Sequence, residues 1–218
     1  MIPLSTGAPA LHVPARGPAP RGGLVVAQEI FGLNANIRAL CEGFAAEGFE
    51  VLAPAYFERV ETGFLADHDA AGVAKGLAAV AATPWDQVAA DTQAAIDHLR
   101  AGGQRAVFVT GFCWGGTVAW LAACRCAGVT AAVGFYGRLI NMLLHETPKA
   151  PIALHYGDRD ASIPPEAIAA VRAAHPDVPI HVHPAGHGFL SDRGHDHDPV
   201  VAARAWGQAR DFFDAHLT

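Results

Sequence analysis

Apolar and polar positions follow two rhythms along this chain. Short apolar runs such as Leu24-Val-Val-Ala-Gln28, Ala106-Val-Phe-Val-Thr110, Ile152-Ala-Leu-His-Tyr156 and Ile180-His-Val-His183 read as strands, as do 49–53 and 130–135. Longer amphipathic or Ala-rich stretches separate them and read as helices over 34–48, 64–82, 85–99, 117–125, 165–174 and 200–216. Punctuation agrees with this reading: Asn34 suits an N-cap, Gly48 a helix stop, and Pro84 a helix start, while Pro54 ends the second strand. Strands alternating with helices predict an α/β fold with a mainly parallel central sheet and helices on both faces. In such sheets ligands bind beyond the carboxyl ends of the strands, so chemistry is expected immediately after each strand.

At 218 residues the chain fits one domain with a sizeable core, residues 1–22 serving as a lead-in and 23–217 as the core. It shows no internal repeat and no low-complexity segment. Hydrophobic residues make up 51% and charged residues 17%, which excludes a disordered chain. A net charge of -6, from 15 Lys+Arg against 21 Asp+Glu, gives no footing for non-specific nucleic-acid binding. The start lacks a basic segment followed by an apolar run, so no signal peptide is read. No residue between Arg105 and Arg125 is charged, long enough on paper for a membrane span, but Gly111, Gly115 and Gly116 break it into strand, turn and helix. Four cysteines in a chain this long do not form a disulfide framework, and a reduced cytoplasmic setting is the default expectation. A monomer or small homo-oligomer that touches neither membrane nor nucleic acid is expected.

The strand Ala106–Thr110 runs into Gly111-Phe-Cys113-Trp-Gly115-Gly116 and then a helix, the context of a nucleophile elbow with Cys at its centre. Small residues two before and two after Cys113 let strand and helix approach closely. The thiol would stand at a helix N-terminus, whose dipole favours thiolate, with the Trp114 N–H available to an oxyanion. A nucleophilic Cys needs a base and that base an orienting acid, following it in the chain. After the strand Ile152–Tyr156 comes Gly157-Asp158-Arg159-Asp160, where Asp160 is preferred as the acid and Asp158 is the alternate. After Ile180–His183 comes Ala185-Gly-His187-Gly, which offers His187 as base. His155, His181 and His183 fall within strands. His195 and His197 sit in a polar His-Asp-His-Asp run without a closed ligand set, so no metal is expected.

Gly-Phe-Cys113-Trp-Gly-Gly, Gly-Asp-Arg-Asp160 and Gly-His187-Gly-Phe resemble the dienelactone hydrolases (carboxymethylenebutenolidases), a branch of the α/β-hydrolase fold. Gln28-Glu29-Ile30-Phe31-Gly32 after the first strong strand is a further, specific match, and the resemblance runs from about Leu24 to the final helix. It implies a hydrolase of activated esters or enol lactones with Cys113 as nucleophile, His187 as base and Asp160 as orienting acid. It also implies oxyanion N–H groups from Ile30 and Trp114, no cofactor, and a Glu29 that contacts the thiol and helps it ionise. The match fails at the substrate clamp. Family members that act on dienelactone carry an Arg in the segment before the helix preceding the elbow, whereas residues 62–84 here contain no Arg and the family's nearby Tyr aligns best with Leu77; a second Arg follows the catalytic His by four, here Ser191. Lys75 and Arg193, with Arg59 and Arg138, are the cations that would have to substitute, and Tyr136 is expected to line the pocket. If none substitutes, the substrate is an uncharged ester or thioester. A catalytically silent binding module of the same fold is the remaining alternative.

Overall fold

A computed structural model describes residues 1–192 and 196–217. Its centre is one eight-stranded sheet in the order β1-β2-β4-β3-β5-β6-β7-β8. In chain order these strands are β1 (Ile2–Pro3), β2 (Pro9–Val13), β3 (Gly22–Ala27), β4 (Phe49–Pro54), β5 (Val107–Phe112), β6 (Ala131–Phe135), β7 (Ile152–Gly157) and β8 (Ile180–His183). From β4 to β8 every neighbouring pair is parallel; β1 and β2 run antiparallel at one edge. Strands β3, β5, β6 and β7 are buried at every position, which explains why they read as continuous apolar runs and not as alternation.

Among the described residues, five α-helices lie between strands and a sixth closes the chain: α1 (Ala35–Ala46), α2 (Ala70–Ala82), α3 (Trp85–Ala101), α4 (Trp114–Arg125), α5 (Pro165–Ala174) and, last, α6 (Pro199–Asp214). Asn34 caps α1 by accepting from the Ile37 N–H, as its position suggested. Two expectations need correction. The stretch read as a lead-in contributes to the sheet: β2 pairs with β4 from Ala10↔Pro54 to Val13↔Val51, while the turn at 4–8 and the Pro/Gly-rich stretch after β2 are irregular. The helix expected over 64–82 begins only at Ala70, because the Asp69 carboxylate accepts from the Gly72 N–H and caps it there. Among the described residues no helix is long and apolar enough to cross a membrane.

Candidate active site

The parallel strands deliver their carboxyl ends to one edge of the sheet, and the candidate residues gather there. Helix α4 starts at Trp114, immediately after β5, so Cys113 is both the turn and the helix N-cap position. Its backbone has φ 56 and ψ -117, a left-sided conformation that costs a non-glycine residue on the order of 1–3 kcal/mol. The glycines around it explain why the strain persists. A Cβ on Gly111 would lie 1.9 Å from the Gly115 carbonyl oxygen, one on Gly115 2.2 Å from that of Ala27, and one on Gly116 2.3 Å from that of Phe135. Strand and helix therefore touch backbone to backbone, and the Cys113 N–H donates to the Phe135 carbonyl at 3.0 Å. The chain cannot relax Cys113 without parting β3, β5, β6 and α4.

His187 follows β8 and faces this turn. Its Nδ1 donates to Asp160 Oδ2 at 2.6 Å, and the Asp160 side chain is fully buried. Ser162 completes the arrangement: its N–H and its hydroxyl donate to Asp160 Oδ1 at 2.8 and 2.6 Å, and its oxygen lies 3.1 Å from His187 Nδ1. Burial opposes ionisation of Asp160, but the His187 and Ser162 contacts outweigh it and lower its pKa below the usual carboxylate range. Burial likewise disfavours imidazolium at His187. The hydrogen bonds to Asp160 and to the Cys113 sulfur, with the charges behind them, prevail and raise its pKa to about 10. Asp158, the alternate acid, is exposed and lies 3.8 Å from its neighbour Arg159.

Glu29 is buried at the end of β3, and the structure gives it partners that were not expected. Its Oε2 accepts from Asn36 Nδ2 at 3.1 Å and lies 4.0 Å from His68 Nε2, while His68 stacks on Phe31 at 4.0 Å. On the other side of the turn, His187 interacts with the Cys113 sulfur. Among the described residues, no backbone acceptor takes the Ile30 or Trp114 N–H, which leaves both available at the mouth of the turn.

A cavity of about 350 Å³ opens over Cys113, Trp114, His187 and Ser162. Its remaining walls are Ile30 and Phe31, Val73, Leu77 and Val80 of α2, and Arg138 with Leu139. Lys75 is not on this lining. Its ammonium donates to Glu61 and to the Leu65 carbonyl, both at 2.9 Å. Arg59 is likewise committed, to Asp91 at 2.6 and 2.9 Å. Tyr136 stands behind His187, ring centroids 5.1 Å apart, rather than on the lining. Burial, then the charges of Glu29 and Cys113, push its hydroxyl well above the ordinary value. Ser191 is buried. Arg193 and His195 lie outside the described residues. Among the described residues no His/Cys/Asp/Glu group could hold a metal ion. Of the other cysteines, burial pushes Cys41 and Cys124 up to about 12 and Cys126 to about 11.

Sequence reasoning missed Ser162, Asn36 and His68. Ser162 left a weak signal, being two residues after Asp160 where a hydroxyl can close a turn on the carboxylate. Asn36 and His68 left none, because 32 positions of chain separate them before the fold brings both to Glu29.

The model of the dienelactone hydrolase family matches residues 9–217. A protein of Escherichia coli (strain K12) named "Putative carboxymethylenebutenolidase" is 34% identical over 228 residues, covering 94% of this chain and 81% of its own. A crystal structure titled as a "Putative Dienelactone Hydrolase" from Klebsiella pneumoniae is 31% identical with a TM-score of 0.82, covering 95% of this chain and 92% of that one. A Pyrococcus furiosus esterase, at 13% identity and a TM-score of 0.66 over 97% of this chain and 93% of that one, shares the fold.

Proposed function

This chain belongs to the dienelactone hydrolase family and is a hydrolase acting on carboxylic ester or lactone bonds, and we propose that it works through an acyl-Cys113 intermediate with His187 as acid and base. The observation that carries this reading is the connected line Cys113–His187–Asp160, with a strained thiol position at one end and a buried carboxylate at the other. Cys113 attacks the carbonyl carbon, and the oxyanion that forms is met by the Ile30 and Trp114 N–H groups. The new S–C bond stays, the C–O bond to the leaving group breaks, and His187 delivers its proton to the departing oxygen.

Acylation also changes His187. A thioester carries neither the charge nor the hydrogen bond by which Cys113 helped to hold the proton, so His187 becomes the better base when it is needed to deprotonate water. His187 takes a proton from water, the hydroxide adds to the thioester, the S–C bond breaks with its electron pair returning to sulfur, and the carboxylic acid departs, leaving Cys113 and the proton-bearing His187 as they began. Asp160 keeps the ring oriented through both halves.

A sulfur nucleophile narrows the substrate range. The tetrahedral adduct expels its better leaving group, and a thiol of free pKa about 8.5 leaves more readily than an alkoxide. Productive turnover needs a stabilised leaving oxygen such as an enolate or phenolate. Enol lactones and aryl esters fit; simple alkyl esters revert.

The test is hydrolysis of dienelactone and of a neutral phenyl ester by wild type and Cys113→Ala, with circular dichroism to show that the variant folds. Turnover is expected to fall at least about 10³-fold. Full activity in Cys113→Ala would sink the mechanism.

A further inference from the structure

Around the catalytic edge, apolar side chains face solvent where polar ones cost less: Val73 is 37% exposed, Leu77 47% and Met142 70%. Val73, Leu77 and Val80 are spaced i, i+4, i+7, which puts them on one stripe of α2, and all three line the catalytic cavity. The helix is held there by a glycine. A Cβ on Gly76 would lie 2.5 Å from the Ile30 carbonyl oxygen, so α2 rests directly on the segment that carries the Ile30 N–H. The stripe continues outward. A second hollow of about 310 Å³ shares Val80 and Leu139 with the first and adds Pro84, Trp85, Met142 and Leu143. Trp85 stacks on Trp114 across the junction, centroids 6.0 Å apart. One apolar trough therefore leaves the thiol and runs past Val80 and Leu139 towards Met142.

We propose that this trough binds an unbranched, uncharged acyl chain of the ester substrate, so that the enzyme prefers medium-chain acyl esters of stabilised alcohols to small carboxylate-bearing lactones. Leu77, half-exposed, is part of the trough wall and offers an apolar surface there. Among the described residues, Arg138 is the lining arginine, and it borders the inner cavity and not the second hollow. The two hollows together fall in the size class of small-molecule sites. An unbranched chain can follow the shared Val80 and Leu139 wall from one hollow to the other.

The proposal rests on the acyl-Cys113 reading, and its test separates the two. kcat/KM is measured for 4-nitrophenyl acetate, butanoate, hexanoate and octanoate with wild type, Met142→Asp and Cys113→Ala. Each methylene that enters the trough is expected to raise kcat/KM by about fourfold. Met142→Asp should cut the octanoate-to-acetate ratio at least about tenfold, since it puts a charge in the path of the chain. Octan-2-one and butan-2-one, titrated against tryptophan fluorescence, read the trough without chemistry: the longer ketone binds more tightly, and Met142→Asp removes the difference. A flat series with no preference between the ketones overturns the proposal, as does a rising series that Met142→Asp leaves untouched. Turnover that survives in Cys113→Ala defeats the nucleophile while the chain-length ratios still report on the trough.

Discussion

His187 has two neighbours that hold its proton, Asp160 at 2.6 Å and the Cys113 sulfur, and they can be removed one at a time. Asp160→Asn removes a charge while keeping the shape. The ring's titration, followed by NMR, should move down from about 10 towards the ordinary 6.5, and kcat/KM should fall by about 10²–10⁴ because the imidazole is no longer held in one tautomer. Unchanged titration would mean that Asp160 does not govern the base. Two candidate side chains, Cys113 and His187, were legible at this scale because each sits in a short Gly-flanked motif after a strand. Asp160 could not be told from Asp158 by spacing, since both follow β7; burial and the Ser162 hydroxyl separate them, and neither is visible in the chain. The partners of Glu29 were illegible for the same reason. The fold brings to it an amide from α1 and an imidazole from the segment before α2.

Glycines in and around the elbow act as spacers between elements. Because a Cβ on Gly115 would sit 2.2 Å from the Ala27 carbonyl oxygen, Gly115→Ala should push α4 off β3 and lower stability by about 2–4 kcal/mol, read as a drop in urea midpoint. Activity should fall further than stability does, since the same shift moves the Trp114 N–H; an alanine variant with wild-type midpoint and rate would refute the close contact. Gly115 and Gly116 also mark where sequence reading stopped short. The helix was read over 117–125, yet α4 starts at Trp114: glycines weaken a helix, but here the close approach to β3 and β6 outweighs that preference. The antiparallel edge was missed for another reason. Strand β2 is short and bracketed by Pro9 and Pro14, and its pairing with β4 joins residues some forty positions apart. The parallel strands needed no partner to be recognised, since burial on both faces writes itself as an apolar run.

At the scale of the whole molecule, two histidine groups set opposite limits in pH. His155 and His183 are buried between β7 and β8, Nδ1 to Nε2 at 3.0 Å, with His181 stacked alongside. Burial, with the neighbouring His181 and Arg204 charges, lowers His183 to about 4. A depressed histidine favours the folded state above its unfolded value near 6.5, and that contribution is lost as pH falls through about 4. His187 is the reverse: its raised pKa stabilises fully below about 6.5 and is lost as pH climbs through about 10. Tm is therefore expected to peak near pH 6.5, falling by at least about 2 °C on each side, with His187→Gln flattening the alkaline limb and His183→Gln the acid one. A Tm curve unchanged by both substitutions would place the titrating groups elsewhere. The burial of Cys41, Cys124 and Cys126 has its own practical yield. With those three sulfurs sealed in the core, a folded molecule presents one thiol to a small electrophile. Consumption of such a reagent then counts folded molecules one by one, so a preparation can be standardised by its folded chains and not by its mass.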